Sequence, residues 1–353
     1  MRSVRVVFGG YAPVHYVCFR PIYLRLMKVP GIEVYFSGGR KVQNNGTVTY
    51  DTGALYRGMD VPSDHVLRME EMRRRRFDLA VSAHTNGFFP RRRCHRLQIF
   101  HGVSFRNAAV RTSQRQYDTV FAVGPYQRRA LRRRGILSRR IVPVGMPKLD
   151  RLFDGSLSRA ETLDRAGLKG GRPVILYAPT GQEDNSLETM GEEFIERIRR
   201  TGEFDLLIKP HDHPRNATFD WFTRLQKFEG PHVRLIRDYD IVPYMHAADL
   251  LVSDASSVAN EFTTLDRPIV FLDVPKLIAA ARKKKGMLDL RTHGRKTGIV
   301  ARRPAQAVSL IRWFLDHPTH RSSFRRKVAA DLFFNPGRAT EVAVDWFVHR
   351  LSR

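Results

Sequence analysis

Cys18 and Cys94 are the only two thiols in this 353-residue chain. Neither has a CxxC or metal-ligand spacing, so a disulfide framework and a cysteine zinc site are excluded and a reducing, cytoplasmic setting is expected. No apolar run approaches the roughly 20 residues that a membrane-spanning helix needs, and the N-terminus has no signal-peptide pattern. GxGxxG and GxxxxGK[ST] are both missing, which removes support for a dinucleotide-dependent dehydrogenase or a P-loop nucleotidase. No carboxylates cluster at metal-ligand spacing, so neither a tightly bound metal nor a cofactor is expected. Acidic residues are scarce: 35 Asp and Glu stand against 61 Lys and Arg, a formal charge of +26. The imbalance is concentrated in residues 1–150, where 28 basic residues meet 9 acidic ones. Arginine runs there occupy 73–76, 91–93 and 132–134. A half this basic implies an anionic partner: nucleic acid, lipid headgroups or a polyanionic polymer.

What is present is an alternation of short apolar strands and helical runs. Strands are expected at Val4–Phe8, Ile32–Phe36, Leu79–Ser82, Leu97–Phe100, Thr119–Val123 and Ile141–Val144. Helices are expected at His15–Met27, interrupted or restarted at Pro21, at Val66–Arg75 and at Tyr126–Arg134. The pattern restarts with strands at Val174–Ala178, Leu206–Lys209, Val233–Ile236, Leu250–Val252 and Ile269–Leu272. Met190–Thr201 and Ile241–Ala247 read as helices between them, and Ala305–His317 and Ala339–Leu351 as closing helices. Strand, turn and helix in repetition predict α/β architecture with parallel sheets covered on both faces. The length suits two such domains, with the break near Gly145–Gly155. We place a basic N-terminal Rossmann-like domain at 1–148 and a C-terminal one at 149–353.

In parallel α/β units, ligands gather where the strands end at their carboxyl side, here expected in a cleft between the two domains. Those ends carry His101-Gly102, Pro179-Thr180, Lys209-Pro210-His211 and Asp254-Ala255-Ser256-Ser257. In VSDASSVANEFTTLDRP (252–268), a strand runs into a tight turn and then a helix from Val258 to Leu265. Hydroxyl residues at a helix start leave outward N–H groups suited to a phosphate. The same pattern also serves as a plain N-cap before a buried helix. Glu261, one turn after Ser257, suits a sugar or glycerol hydroxyl better than a phosphate. His211 and His213 compete for one phosphate-facing role, and the place directly after Lys-Pro favours His211.

These segments together resemble a known family. HGVSFR (101–106), YAPTGQ (177–182), IKPHDHP (208–214) and DYDIVPYMHAADLLVSDASSVANEFTTLDRPIVFLD (238–273) are similar to the CDP-glycerol glycerophosphotransferases, the teichoic acid primases and polymerases of GT-B fold. The resemblance runs from about Leu97 onward. It implies that Phe100, His101, Gly102, Val103 and Ser104 stand for an aromatic-His-Gly-Thr-Pro segment, with His101 as general base. It implies donor or phosphate contacts for Pro179, Thr180, Lys209, Pro210, Ser256, Ser257 and Glu261, with His211 as a second catalytic histidine. Asp254, at the turn itself, is expected to orient a donor or to cap the turn. Lys148, in Gly145-Met146-Pro147-Lys148, takes the place of an arginine between the domains. Val103-Ser104 and Gly181-Gln182 depart from the family pattern, the second pair by losing an arginine, so a different CDP-alcohol or another nucleotide-linked donor stays open.

The resemblance therefore implies transfer of glycerol phosphate, or a related alditol phosphate, from a CDP-activated donor to a hydroxyl of a surface polymer or its lipid-linked precursor. The expected partners are the CDP-alcohol, a polyanionic or lipid-linked glycan acceptor, and the anionic inner membrane leaflet, on which the protein would sit peripherally. A GT-B sugar-nucleotide transferase or epimerase for a surface glycan is the alternative. A nucleic-acid-binding role is a further one, but the arginine runs lack interleaved aromatic residues, and such a partner is not expected.

Overall fold

The computed structural model describes residues 3–44, 47–83, 87–103, 115–211, 220–283 and 294–351. Its frame is two six-stranded sheets and one hairpin. The first sheet uses β1 (Val4–Gly10), β2 (Ile32–Gly38), β5 (Leu79–Ser82), β6 (His95–Gln98), β7 (Thr119–Ala122) and β8 (Ile141–Pro143), in the order β2-β1-β5-β6-β7-β8. The hairpin between β2 and β5 pairs β3 (Arg40–Asn44) with β4 (Thr47–Asp51). The second sheet uses β9 (Val174–Tyr177), β10 (Asp205–Ile208), β11 (Val233–Leu235), β12 (Leu250–Ser253), β13 (Ile269–Leu272) and β14 (Ile299–Ala301), ordered β11-β10-β9-β12-β13-β14. Every pairing within the two large sheets is parallel.

Burial explains why the strands read as they do. Every residue of β5, β7, β9, β10, β12 and β13 is buried. A strand covered on both faces is selected for continuous apolar, β-branched sequence rather than for alternation. In the second sheet, Ile175, Tyr177, Leu206, Ile208, Leu250 and Val252 pack with Phe194 and Ile198 of the helix Glu192–Thr201 and with Ile311 and Phe314 of the helix Pro304–Asp316. In the first, Phe8 lies between Phe19 of the helix Pro13–Leu26 and Phe347 of the helix Ala339–Leu351, at ring separations of 5.0 and 6.4 Å.

Several elements differ from expectation. The helix Pro13–Leu26 continues through Pro21; burial of Phe19, Ile22, Tyr23 and Leu26 outweighs the backbone bond that proline removes. The helix expected over Val66–Arg75 covers only Met69–Arg74, and the strand expected at Leu97–Phe100 begins at His95. The helix expected from Val258 to Leu265 is α-helical over Ser257–Phe262 and then tightens to a 3-10 turn, Thr263–Leu265. The β3–β4 hairpin was missed although Asn45-Gly46, flanked by alternating residues, is a strong hairpin signature.

The chain divides into two compact units: Met1–His101 with Val110–Asp150 and Phe333–Arg353, and Gly102–Ala109 with Arg151–Leu332. The main division falls two residues beyond 148. The last helix groups with the first unit, whereas the sequence reading put it in the second. Its attachment is specific. Asp150 accepts from the backbone N–H groups of Ala339 and Thr340, 3.1 and 2.6 Å away, and so caps the helix from a distant segment. Phe334 N–H donates to Val123 O at 2.7 Å, and the Asn335 amide donates to Pro143 O and Val144 O at 3.0 Å.

Candidate active site

Each sheet reverses its winding direction next to its first strand. The reversal lies between β1 and β5 in the first sheet and between β9 and β12 in the second. At such a point the connections leave to opposite faces, and the strand ends between them form a natural crevice for ligands. Both reversal points carry polar residues, but of different chemistry.

In the first unit the crevice residues are imidazoles and a lysine. His101 follows β6 and is half-buried. Its Nδ1 lies 2.9 Å from Ala83 O, just past β5. A carbonyl can only accept, so Nδ1 carries the proton and the neutral ring has its lone pair on Nε2. The Lys148 ammonium, 5% exposed, donates to His101 O at 3.1 Å. Phe100 is buried beside it. These three expected residues are therefore together.

A residue that the sequence reading did not single out joins them. His15, at the start of the helix after β1, is 1% exposed, and its ring centre lies 4.9 Å from that of His101. The same strand–turn–helix logic that drew attention to Ser256 applies to Gly9-Gly10-Tyr11 through His15 and would have found it.

In the second unit the crevice is built from hydroxyls, backbone N–H groups and a buried carboxylate. Asp254 has no exposed surface. It accepts from Thr180 N–H at 2.8 Å, Ser186 N–H at 2.9 Å, the Ser186 hydroxyl at 2.8 Å, and Ala255 N–H. Burial pushes its carboxyl above the ordinary value, against the pull of those donors. Asp254 was expected either to orient the donor or to cap the turn. Its oxygens are turned into the protein, where they cap the turn after β12 and tie it to the loop after β9. The Ser253 hydroxyl reinforces the tie by donating to Ala178 O at 2.7 Å. Ser186 is the other half of this knot and was missed, because nothing local in the sequence marks it.

Ser256 caps the short helix Ser257–Phe262, with its hydroxyl accepting from Val258 N–H. Ser257 and Glu261 stand against Gly102: a Cβ there would come within 3.1 Å of Ser257 Oγ and 3.4 Å of Glu261 Oε1. A side chain there would fit only if Ser257 and Glu261 gave way by a few tenths of an ångström. Val103 is held next to Gly102 by Asn260, whose amide donates to Val103 O at 2.8 Å. Pro179 is buried and Thr180 half-buried. Lys209, 5% exposed, follows β10, and its ammonium donates to Pro210 O at 3.1 Å. His211 is exposed, with its ring packed over Gly181, where a Cβ would fall 2.6 Å from His211 Cγ. Ser104 and His213 lie outside the described residues. No group of three metal-ligating side chains occurs among the described residues.

The opposite end of the first sheet is basic. Because its strands are parallel, the segments leading into them share one edge. Arg73–Arg76 lead to β5, Arg91–Arg93 to β6, Arg115 to β7 and Arg139–Arg140 to β8. The fold also joins two of the runs, since Arg91 N–H donates to Arg73 O at 3.0 Å. A depression of about 510 Å³ there is lined by Arg76, Phe77, Asp78, Arg92 and Arg93. Among the described residues, none of the seven arginines of these two runs has a carboxylate partner. Arg75 instead lies over the Tyr35 ring. Leu24, Met27 and Leu137, all exposed, occur in the segments leading to β2 and β8 on this edge.

Comparison with known proteins gives a consistent picture. Residues 78–293 match the model of the family described as CDP-glycerol:poly(glycerophosphate) glycerophosphotransferase. The chain is 27% identical over 160 residues to the teichoic acid glycerol-phosphate primase of Bacillus subtilis (strain 168), a match covering 44% of this chain and 38% of that protein. It is 26% identical over 146 residues to the teichoic acid ribitol-phosphate polymerase TarL of Staphylococcus aureus (strain NCTC 8325 / PS 47), covering 39% and 25% respectively. The matched region thus spans well under half the length of these relatives. Among solved structures, the H548A variant of the wall teichoic acid polymerase TagF superposes with a TM-score of 0.74 at 15% identity, over 99% of this chain and 89% of that one. That likeness establishes the GT-B fold.

Proposed function

The chain belongs to the CDP-glycerol:poly(glycerophosphate) glycerophosphotransferase family, and we propose that it transfers glycerol phosphate, or a related alditol phosphate, from a CDP-linked donor to a hydroxyl of a wall polymer or its lipid-linked precursor. The observation that carries this reading is the His101 ring, whose Nδ1–H bond to Ala83 O places the lone pair on Nε2. The acceptor oxygen bonds to the phosphorus bearing the alditol. The bond from that phosphorus to the bridging oxygen breaks, CMP leaves with the electron pair, and the hydroxyl proton passes to His101 Nε2. Imidazole suits this transfer because its ordinary pKa lies near working pH.

The leaving diphosphate needs fixed positive charge and hydrogen-bond donors. Lys209, Thr180, Ser256, Ser257 and His211 supply these in our reading, and Lys148 adds charge beside His101. Phe100, Gly102, Val103, Pro179 and Pro210 shape the backbone around them, and Glu261 accepts from an alditol hydroxyl. Asp254 acts through the loops it ties. The test is a panel of CDP-glycerol, CDP-ribitol and UDP-sugars incubated with purified protein and a glycerol-phosphate-primed acceptor. Acceptor-dependent CMP release from a CDP-alcohol supports the reading. Turnover of a UDP-sugar alone would replace it with a sugar-nucleotide enzyme.

The basic edge supports a second element of the proposal, docking on an anionic membrane surface. Arginine runs without carboxylate partners, flanked on the same edge by exposed leucine and methionine, match a surface of anionic headgroups over acyl chains. No described helix is long and apolar enough to cross a membrane, so the proposed attachment is peripheral. Vesicle flotation should show binding to phosphatidylglycerol vesicles at low salt, and loss of it at high salt or in R92E/R93E. Equal binding to phosphatidylcholine would overturn this element.

A further inference from the structure

His15 is buried, titratable and outside the region matched by the family model, and the mechanism above gives it no task. Its surroundings define its protonation. Tyr11 N–H donates to His15 Nδ1 at 3.2 Å, so Nδ1 holds a lone pair and the neutral ring carries its proton on Nε2. The Tyr11 ring meets the imidazole edge-on, with centres 4.5 Å apart. Gly10 lets the histidine sit close to the end of β1: a Cβ on Gly10 would be 3.0 Å from His15 Cβ.

His101 shows the complementary arrangement, with Nδ1–H donating to Ala83 O. The two rings therefore lie 4.9 Å apart, at 48° to each other, in opposite tautomers. Each is pinned by a backbone group next to one of the two strands that border the reversal point, β1 for His15 and β5 for His101. The protonation of one ring constrains the other. A proton on His15 Nδ1 would break the Tyr11 bond and set a like charge beside His101. A proton arriving at His101 Nε2 breaks neither backbone bond.

We propose that His15 is a positioning residue for the transfer reaction: an imidazole wall that holds the His101 ring in the plane where its Nδ1–H reaches Ala83 O, and so keeps Nε2 as the atom that takes the incoming proton. This inference rests on the reading of His101 as the base. It predicts a defect in turnover rather than in donor binding, since His15 acts on the group that takes the proton.

The test uses the full chain with 15N-labelled histidine, without donor, followed by kinetics. In wild type, the His101 ring should show the Nδ1–H tautomer and the His15 ring the Nε2–H tautomer, assigned by their loss in H101N and H15N. In H15A, the His101 signals should move to a tautomer mixture. CMP release should fall by roughly 10- to 100-fold in kcat with KM for the donor changed less than about threefold, the scale expected for a misplaced catalytic group. H15N, whose side-chain oxygen can accept the Tyr11 N–H, should restore both the Nδ1–H signature and kcat to within about threefold. H15A keeping wild-type tautomer and kcat would overturn the proposal, as would H15N failing to hold the His101 tautomer. If H15A does not fold, the H15N outcome decides. The NMR arm needs no turnover, so it stands apart from any failure of the transferase reading.

Discussion

The two six-stranded sheets have the same winding, yet their reversal points carry different functional groups. The first presents His101, His15 and Lys148; the second presents Thr180, Lys209, the serines of 256–257 and the buried Asp254 knot. In the proposed reaction, one frame would thus serve two tasks. Imidazoles held in set tautomers suit moving a proton. Loops tied by a buried carboxylate suit presenting N–H and hydroxyl donors to a diphosphate without rearrangement.

The most severe break in this comparison should come from His101. His101→Ala should lower kcat for CMP release by about 10³-fold, within the range attributed to general bases, with thermal unfolding unchanged. Retention of a tenth of the activity would mean the first sheet does not handle the proton.

Asp254→Ala should act on the second sheet and through stability. It strands three N–H donors and a hydroxyl that the carboxylate satisfies, at a cost of about 2–3 kcal/mol. Urea unfolding, together with hydrogen exchange of the 178–186 loop, would measure it. The next effect should be smaller and confined to binding. Lys209→Met keeps the bulk of a buried side chain and removes its charge, so KM for the CDP-alcohol should rise roughly 10- to 30-fold, as for a lost charged hydrogen bond. A change in kcat alone would move Lys209 out of the donor site.

The smallest effect is on pH. His95 Nδ1 accepts from Arg350, and its other ring nitrogen meets the Thr119 hydroxyl. Burial, then the Arg350 charge, holds its pKa below the ordinary histidine value. A depressed folded pKa means that the unfolded chain binds more protons on acidification. The stabilisation is therefore whole above the unfolded value, near 6.5, and is lost as pH falls through the lowered folded one. Hydrogen exchange in β6 and in the helix Ala339–Leu351 should report a small loss of protection as pH falls below about 6.5. The loss should be absent in H95Q, and the second sheet should not share it.

The strands of both sheets were legible because burial on two faces leaves an apolar run that few other structures need. Ile269–Leu272 matched to the residue for that reason. The strand-end chemistry was legible as residue types, since His101, Thr180, Lys209 and Ser256 each follow a strand. What the sequence hid depends on partners far along the chain. Nothing beside His15 announces His101, nothing beside Asp254 announces Ser186, and nothing in the last helix announces Asp150. The burial of Asp254 was hidden in the same way: as a local turn it reads as exposed, and only the 178–186 loop closes over it.

The distant cap on the last helix has a consequence for biosynthesis. Phe8 and Phe121 are shielded by Phe347, which the ribosome adds hundreds of residues after β1. At about 5–20 residues per second, the first sheet would wait tens of seconds with an apolar face uncovered while the second sheet is synthesised. The half made first is thus the half completed last, and during that interval it is the part most dependent on chaperones.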